Sequence, residues 1–71
     1  MFSNMRMVSK ETIDGKVVLT TETKGLFRKK IRKFEVQREY PKGYFSWLEL
    51  PNRILVSDIL AFQLDAWHKS S

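Results

Sequence analysis

A chain of 71 residues has room for one domain, and folding at that size buries only roughly 60% of the unfolded surface, so the core is small and stability marginal. With no cysteine and a single histidine, disulfide staples and thiolate metal sites are excluded, and a zinc site would have to rest on carboxylates. The net charge of +5 is local: residues 1–25, 26–43 and 44–71 contribute +1, +5 and −1, which places the whole excess in the middle window.

The N-terminal stretch Met1-Phe2-Ser3-Asn4-Met5-Arg6-Met7-Val8 lacks the sustained apolar run of a signal peptide. No segment approaches the roughly 20 apolar residues of a membrane span. An intracellular protein without a membrane-spanning role is expected. A hydrophobic share of 42%, with nine aromatics, predicts a folded chain.

The first element is a hairpin. Asp14-Gly15 is the pair preferred where both central turn residues take positive φ, and it joins a strand at about 5–13 to one at about 16–23. A third strand is expected over about 26–40. Leu26, Phe27, Ile31 and Phe34 also share one side of a helix with Arg28, Lys29, Arg32 and Lys33 opposite, so a basic amphipathic helix competes there. Val36 and Tyr40 leave that stripe, and the turn that follows requires a strand before it.

That turn is Tyr40-Pro41-Lys42-Gly43-Tyr44. Proline presets φ and glycine supplies a left-handed residue, which predicts a three-residue hairpin loop and a fourth strand at about 44–50. Counting outward from Tyr40 opposite Tyr44, Arg38 meets Ser46, Val36 meets Leu48 and Phe34 meets Leu50 on what should be the core face. Glu39–Phe45, Gln37–Trp47 and Glu35–Glu49 fall on the other face. Pro51-Asn52 should end the sheet.

Ser57-Asp58 has the form of a helix start, a hydroxyl cap followed by an acid at the positive end of the dipole, for a helix of about 57–69. On a wheel, Ile59, Leu60, Phe62, Gln63, Leu64, Ala66 and Trp67 cover about 200 degrees, more than the roughly 100 degree stripe that one sheet surface occupies. Phe62 and Ala66 are therefore expected at a second surface, a homodimer or partner interface, or beneath the N-terminal hairpin. Asp58 and Asp65 fall on the polar side, and His68 stands near an end expected to fray. The fold class is α+β, an antiparallel sheet or small barrel of four to five strands with one C-terminal helix.

No phosphate loop, nucleophile elbow, metal-ligand spacing or catalytic constellation is present, so neither an enzyme nor a bound cofactor is expected. The candidate site is the basic run. Arg28, Lys29, Lys30, Arg32 and Lys33 put five cations into six positions, more than the lysine protection of an edge strand requires. On a strand, Arg28, Lys30 and Arg32 project to one side and Lys29 and Lys33 to the other, a disposition that can track a nucleic-acid phosphate backbone without reading its sequence. Phe45 and Trp47, on the face away from the expected core, are candidates either for stacking on unpaired bases or for a second core layer. The alternative function is an accessory module, of phage or mobile-element type, whose basic strand meets an acidic protein or whose helix mediates self-association.

Overall fold

The computed structural model of the chain describes residues 4–70. Met1–Ser3 of the N-terminal stretch and Ser71 of the expected frayed end lie outside the described residues. Five strands, β1 (Met5–Ile13), β2 (Lys16–Lys24), β3 (Lys29–Tyr40), β4 (Tyr44–Leu50) and β5 (Ile54–Leu55), are followed by one helix, α1 (Asp58–Ser70). Every neighbouring pair is antiparallel and the strand order is the chain order, a meander whose sheet stays open rather than closing into a barrel.

Both hairpin turns follow from their residues. Asp14 and Gly15 hold φ of 53° and 79°, and Lys42 and Gly43 hold 72° and 84°, left-handed conformations that asparagine, aspartate and glycine reach most readily. At the second turn Tyr40 and Tyr44 face each other as predicted, their rings stacked at a centroid distance of 4.8 Å with the Arg38 guanidinium over Tyr40. The helix begins where Ser57 caps it, its Oγ accepting the Leu60 amide at 3.3 Å.

The expected core face is overturned by one residue. Arg38 pairs with Ser46 as counted, but the register shifts between Val36 and Arg38, leaving Gln37 as the extra residue of a β-bulge. Beyond it Val36 meets Trp47, Glu35 meets Leu48 and Phe34 meets Glu49. Because side chains alternate along a strand, that single insertion puts Phe34, Val36, Phe45 and Trp47 under the helix and sends Leu48 to the opposite face. The core is Met5, Leu19, Phe34, Trp47, Leu60 and Leu64, with Phe45, Val56, Ala61 and Trp67 packed around it.

Three further expectations change. Pro51 does not end the sheet: a turn through residues 51–53, with Arg53 at φ 58°, returns the chain as β5 against β4. The third strand starts at Lys29, since Gly25–Arg28 form the loop, closed by the Gly25 amide donating to the Arg28 carbonyl at 2.7 Å. The C-terminus does not fray at His68, because α1 continues to Ser70 and His68 lies against the sheet.

Candidate nucleic-acid interface

The β2–β3 hairpin runs beyond the rest of the sheet. The last residue of β3 paired to β4 is Lys33, opposite Leu50, so Lys29–Arg32 have β2 on one side and no strand on the other among the described residues. The basic run occupies the distal half of a central strand, where that strand becomes an edge. A twelve-residue strand spans about 40 Å at the usual rise, and the molecule measures 40 × 25 × 23 Å. The hairpin tip therefore lies at an extremity.

Strand alternation divides the four cations that lie on β3 as the sequence predicts, while Arg28, expected beside Lys30 and Arg32, is in the loop before the strand. Lys29 and Lys33 share a face with Ile31, and Lys30 and Arg32 share the face that leads into the core through Phe34. Two of the five are engaged. Arg32 makes a bidentate pair with Glu49, Nε to Oε2 at 2.8 Å and Nη2 to Oε1 at 2.7 Å, with its guanidinium 5.1 Å from the Phe34 ring centroid. That pair lowers the Glu49 carboxyl below its ordinary range, chiefly through the hydrogen bonds, and raises Arg32. It seals the rim of the core where the helix stops covering it.

Lys29 Nζ lies 3.5 Å from Glu22, which Arg6 also approaches at 3.3 Å from across the sheet. Burial of Glu22 pushes its carboxyl up, but the fields of Arg6 and Lys29 outweigh that and leave it lowered. A second buried acid on the same face, Glu35, is held in the same manner between Arg53, at 2.8 Å, and Lys16, at 3.4 Å. Each buried carboxylate thus bridges two exposed cations. Arg28, Lys30 and Lys33 are exposed and have no carboxylate among the described residues within ion-pairing distance.

Trp47 is not part of this surface. It is 0% exposed, lies beneath α1, and donates Nε1–H to Asp65 Oδ1 at 2.8 Å, while Asp65 Oδ2 accepts the Phe45 amide at 3.2 Å. The stacking role proposed for Trp47 is thereby excluded, since both ring faces are enclosed. The same contact overturns the expectation that Asp65 is solvated: it is 6% exposed and anchors helix to sheet. His68 packs edge-on against Phe45 and Trp47 at centroid distances of 5.0 and 5.9 Å, and burial, aided by the nearby Lys10 ammonium, lowers its pKa. A buried tryptophan requires a hydrogen-bond partner, and that requirement was the available signal for Asp65. The roles of Glu22, Glu35 and Arg53 carried no such signal, because Arg6 reaches Glu22 only past a register shift between Met7 and Ser9, and Arg53 reaches Glu35 only through the turn that leads to β5.

The apolar residues expected at a second surface are where the wheel puts them. Phe62 is 78% exposed, Ile59 and Ala66 are exposed beside it, and Phe62 borders a groove with Tyr40, Tyr44 and Leu55. The N-terminal hairpin does not cover them. At the opposite extremity Leu26 and Phe27 are 93% and 95% exposed. No cluster of histidine and acidic side chains among the described residues could hold a metal ion, and no described helix is long and apolar enough to cross a membrane. No protein family, curated protein or solved structure matches the chain.

Proposed function

We propose that the chain is a non-enzymatic intracellular binding module that holds nucleic acid by its phosphates through the distal β2–β3 hairpin. The supporting observation is that Arg28, Lys30 and Lys33 are exposed and within ion-pairing distance of no carboxylate among the described residues, while the two buried acids of the adjoining sheet face are already each shared by two cations. Phosphates supply the missing counter-charge, and cations on both faces of one strand suit a backbone that wraps the ribbon. Lys29 adds to this surface, since its contact with Glu22 is exposed on the lysine side and worth little in water. Arg32 contributes mainly by holding the strand over Phe34.

A salt titration of binding to generic DNA and RNA tests this reading. The logarithm of affinity should fall linearly with the logarithm of salt concentration, and Lys30→Glu with Lys33→Glu should flatten the slope by about one per contact removed. Absence of any complex at low salt would defeat it.

The exposed helix edge supports a second property, self-association. Ile59, Phe62 and Ala66 present an apolar stripe that the sheet leaves uncovered. Sedimentation at tens of micromolar should show a dimer that Phe62→Glu converts to folded monomer. A wild type that sediments as a monomer rejects it, and so does a variant that unfolds.

A further inference from the structure

The hairpin tip joins two features that ordinary surface chemistry keeps apart. Leu26 and Phe27 are large apolar side chains almost wholly in water, at 93% and 95% exposure. They sit between Lys24 and Arg28, with Lys29 and Lys30 immediately behind. Nothing in the fold requires an apolar pair there: the loop is closed by the Gly25–Arg28 backbone hydrogen bond, and neither side chain belongs to the core. A soluble hairpin needs only polar residues at such a place.

Taking the phosphate-binding reading as its basis, we infer that Phe27 is the base-stacking residue of the interface and that the ligand is single-stranded nucleic acid. Among the described aromatics, Phe27 alone lies in the basic run with its ring free. Trp47 and Phe45 belong to the core, and the Tyr40–Tyr44 stack stands at the other end of β3. A ring exposed on both faces receives an unpaired base, and stacking of this kind tolerates any base because every base has a π-face. Leu26 beside it adds apolar contact to the same base or to its neighbour.

Three other occupants fit less well. In a duplex the same ring would enter only after a base step is unstacked, whereas a single strand offers its bases at much lower cost. A lipid surface touched by the tip would meet Arg28 and Lys30 but leave Lys33, about 10 Å beyond Lys30 along the strand at the usual rise, at the edge of the screening length. An acidic protein would satisfy the cations without requiring the ring. A flexible polyanion with aromatic faces engages both the tip and the cations along the strand behind it.

The test is fluorescence anisotropy with labelled oligothymidine, oligouridine and a duplex of equal phosphate count, each titrated at several salt concentrations, using wild type, Phe27→Ala and Phe27→Trp. Single strands should bind more tightly than the duplex. Phe27→Ala should weaken single-strand binding about tenfold with the salt slope unchanged. Phe27→Trp should restore it, the new indole emission being quenched as oligonucleotide is added. Equal affinity of Phe27→Ala and wild type, or preference for the duplex, overturns the stacking assignment while a steep salt slope leaves the phosphate reading standing. A chain that binds neither form overturns both, and loss of binding to phosphatidylserine vesicles in Phe27→Ala would then reassign the tip to lipid. Because Phe27 touches nothing in the core, the variants fold, which circular dichroism verifies.

Discussion

The two ends of β3 illustrate how one strand serves opposite purposes. Around Phe34 and Val36 it is covered on the helix face, and the polar groups that cross that layer are matched: Trp47 Nε1–H meets Asp65, and Arg32 closes the rim with Glu49. Around Lys29–Arg32 the same strand has lost β4, carries cations on both faces, and adjoins a loop with two apolar side chains almost wholly in water. Apart from His68 Nδ1, which is buried without a hydrogen-bond partner, the polar groups under the helix follow the rule that buried polar groups find partners. The projecting end breaks the corresponding surface rule, which is why we propose it as the end that binds. Stability and the proposed binding should thus be separable along a single hairpin, and mutations can test whether they are.

The largest expected effect lies at the covered end. Trp47→Ala should destabilise by about 3–5 kcal/mol, the usual cost of emptying a buried aromatic site, enough to unfold a domain of this size. Asp65→Ala should cost about 1–3 kcal/mol, because the Trp47 indole and the Phe45 amide would both be left buried without an acceptor. Urea denaturation measures both. If Asp65→Ala proved neutral, the helix would be held by apolar contact alone.

Acidification should produce an intermediate effect confined to the same end at first. The His68 imidazole is lowered below its ordinary 6.5 by burial and by Lys10, so the folded state favours the neutral ring. Its contribution is complete above about pH 6.5 in the unfolded-state reference and is lost as pH falls through the lowered folded value. Glu49, lowered by its hydrogen bonds to Arg32, and Glu22, where Arg6 and Lys29 outweigh burial, follow the carboxylate rule. Their contribution is present above 4.5 and disappears as pH drops through their lowered values. The melting temperature should therefore fall in two stages, and His68→Gln should remove the first. A single transition below pH 4.5 in wild type would show that His68 is not protected.

The smallest effect marks the contrast most sharply. Leu26→Ser with Phe27→Ser should change stability by less than about 0.5 kcal/mol, since neither residue has native contacts to lose. A thermal melt shifted by several degrees would mean that the tip packs against something, and that the separation between the two ends is incomplete.

Much of the architecture is legible in local chemistry. Asp14-Gly15, Pro41-Lys42-Gly43 and Ser57-Asp58 are strong signals because each satisfies a backbone demand within four residues, and both hairpins and the helix follow from them. The basic run could be placed on a strand with its cations alternating. Legibility ended where distant parts set the outcome. The count outward from Tyr40 held to Arg38 and then inverted, because the helix selects the face with Phe34 and Trp47 and no local rule announces Gln37 as an extra residue. Asp65 was read as solvated because the wheel shows which residues share a side but not which partner lies above that side. Strand β5 was hidden by Pro51-Asn52, a pair that ends strands as readily as it turns them.

The bulge at Gln37 also governs how the gene for this chain can change in length. The Pro41-Lys42-Gly43 loop specifies one strand register and the packing of Phe34 against Leu64 and Trp47 specifies another, displaced by a single residue. Gln37 reconciles them, as a spacer between two mismatched rulers. Losing or gaining a residue within the Gly25–Arg28 loop would disturb only the tip. Losing the codon for Gln37 would let the two registers coincide, with Val36 still opposite Trp47 and only the bulge removed. Length variation in this chain should therefore be tolerated at the distal tip and at the bulge itself, the two places where a residue can be lost without turning the side chains of β3 to the other face.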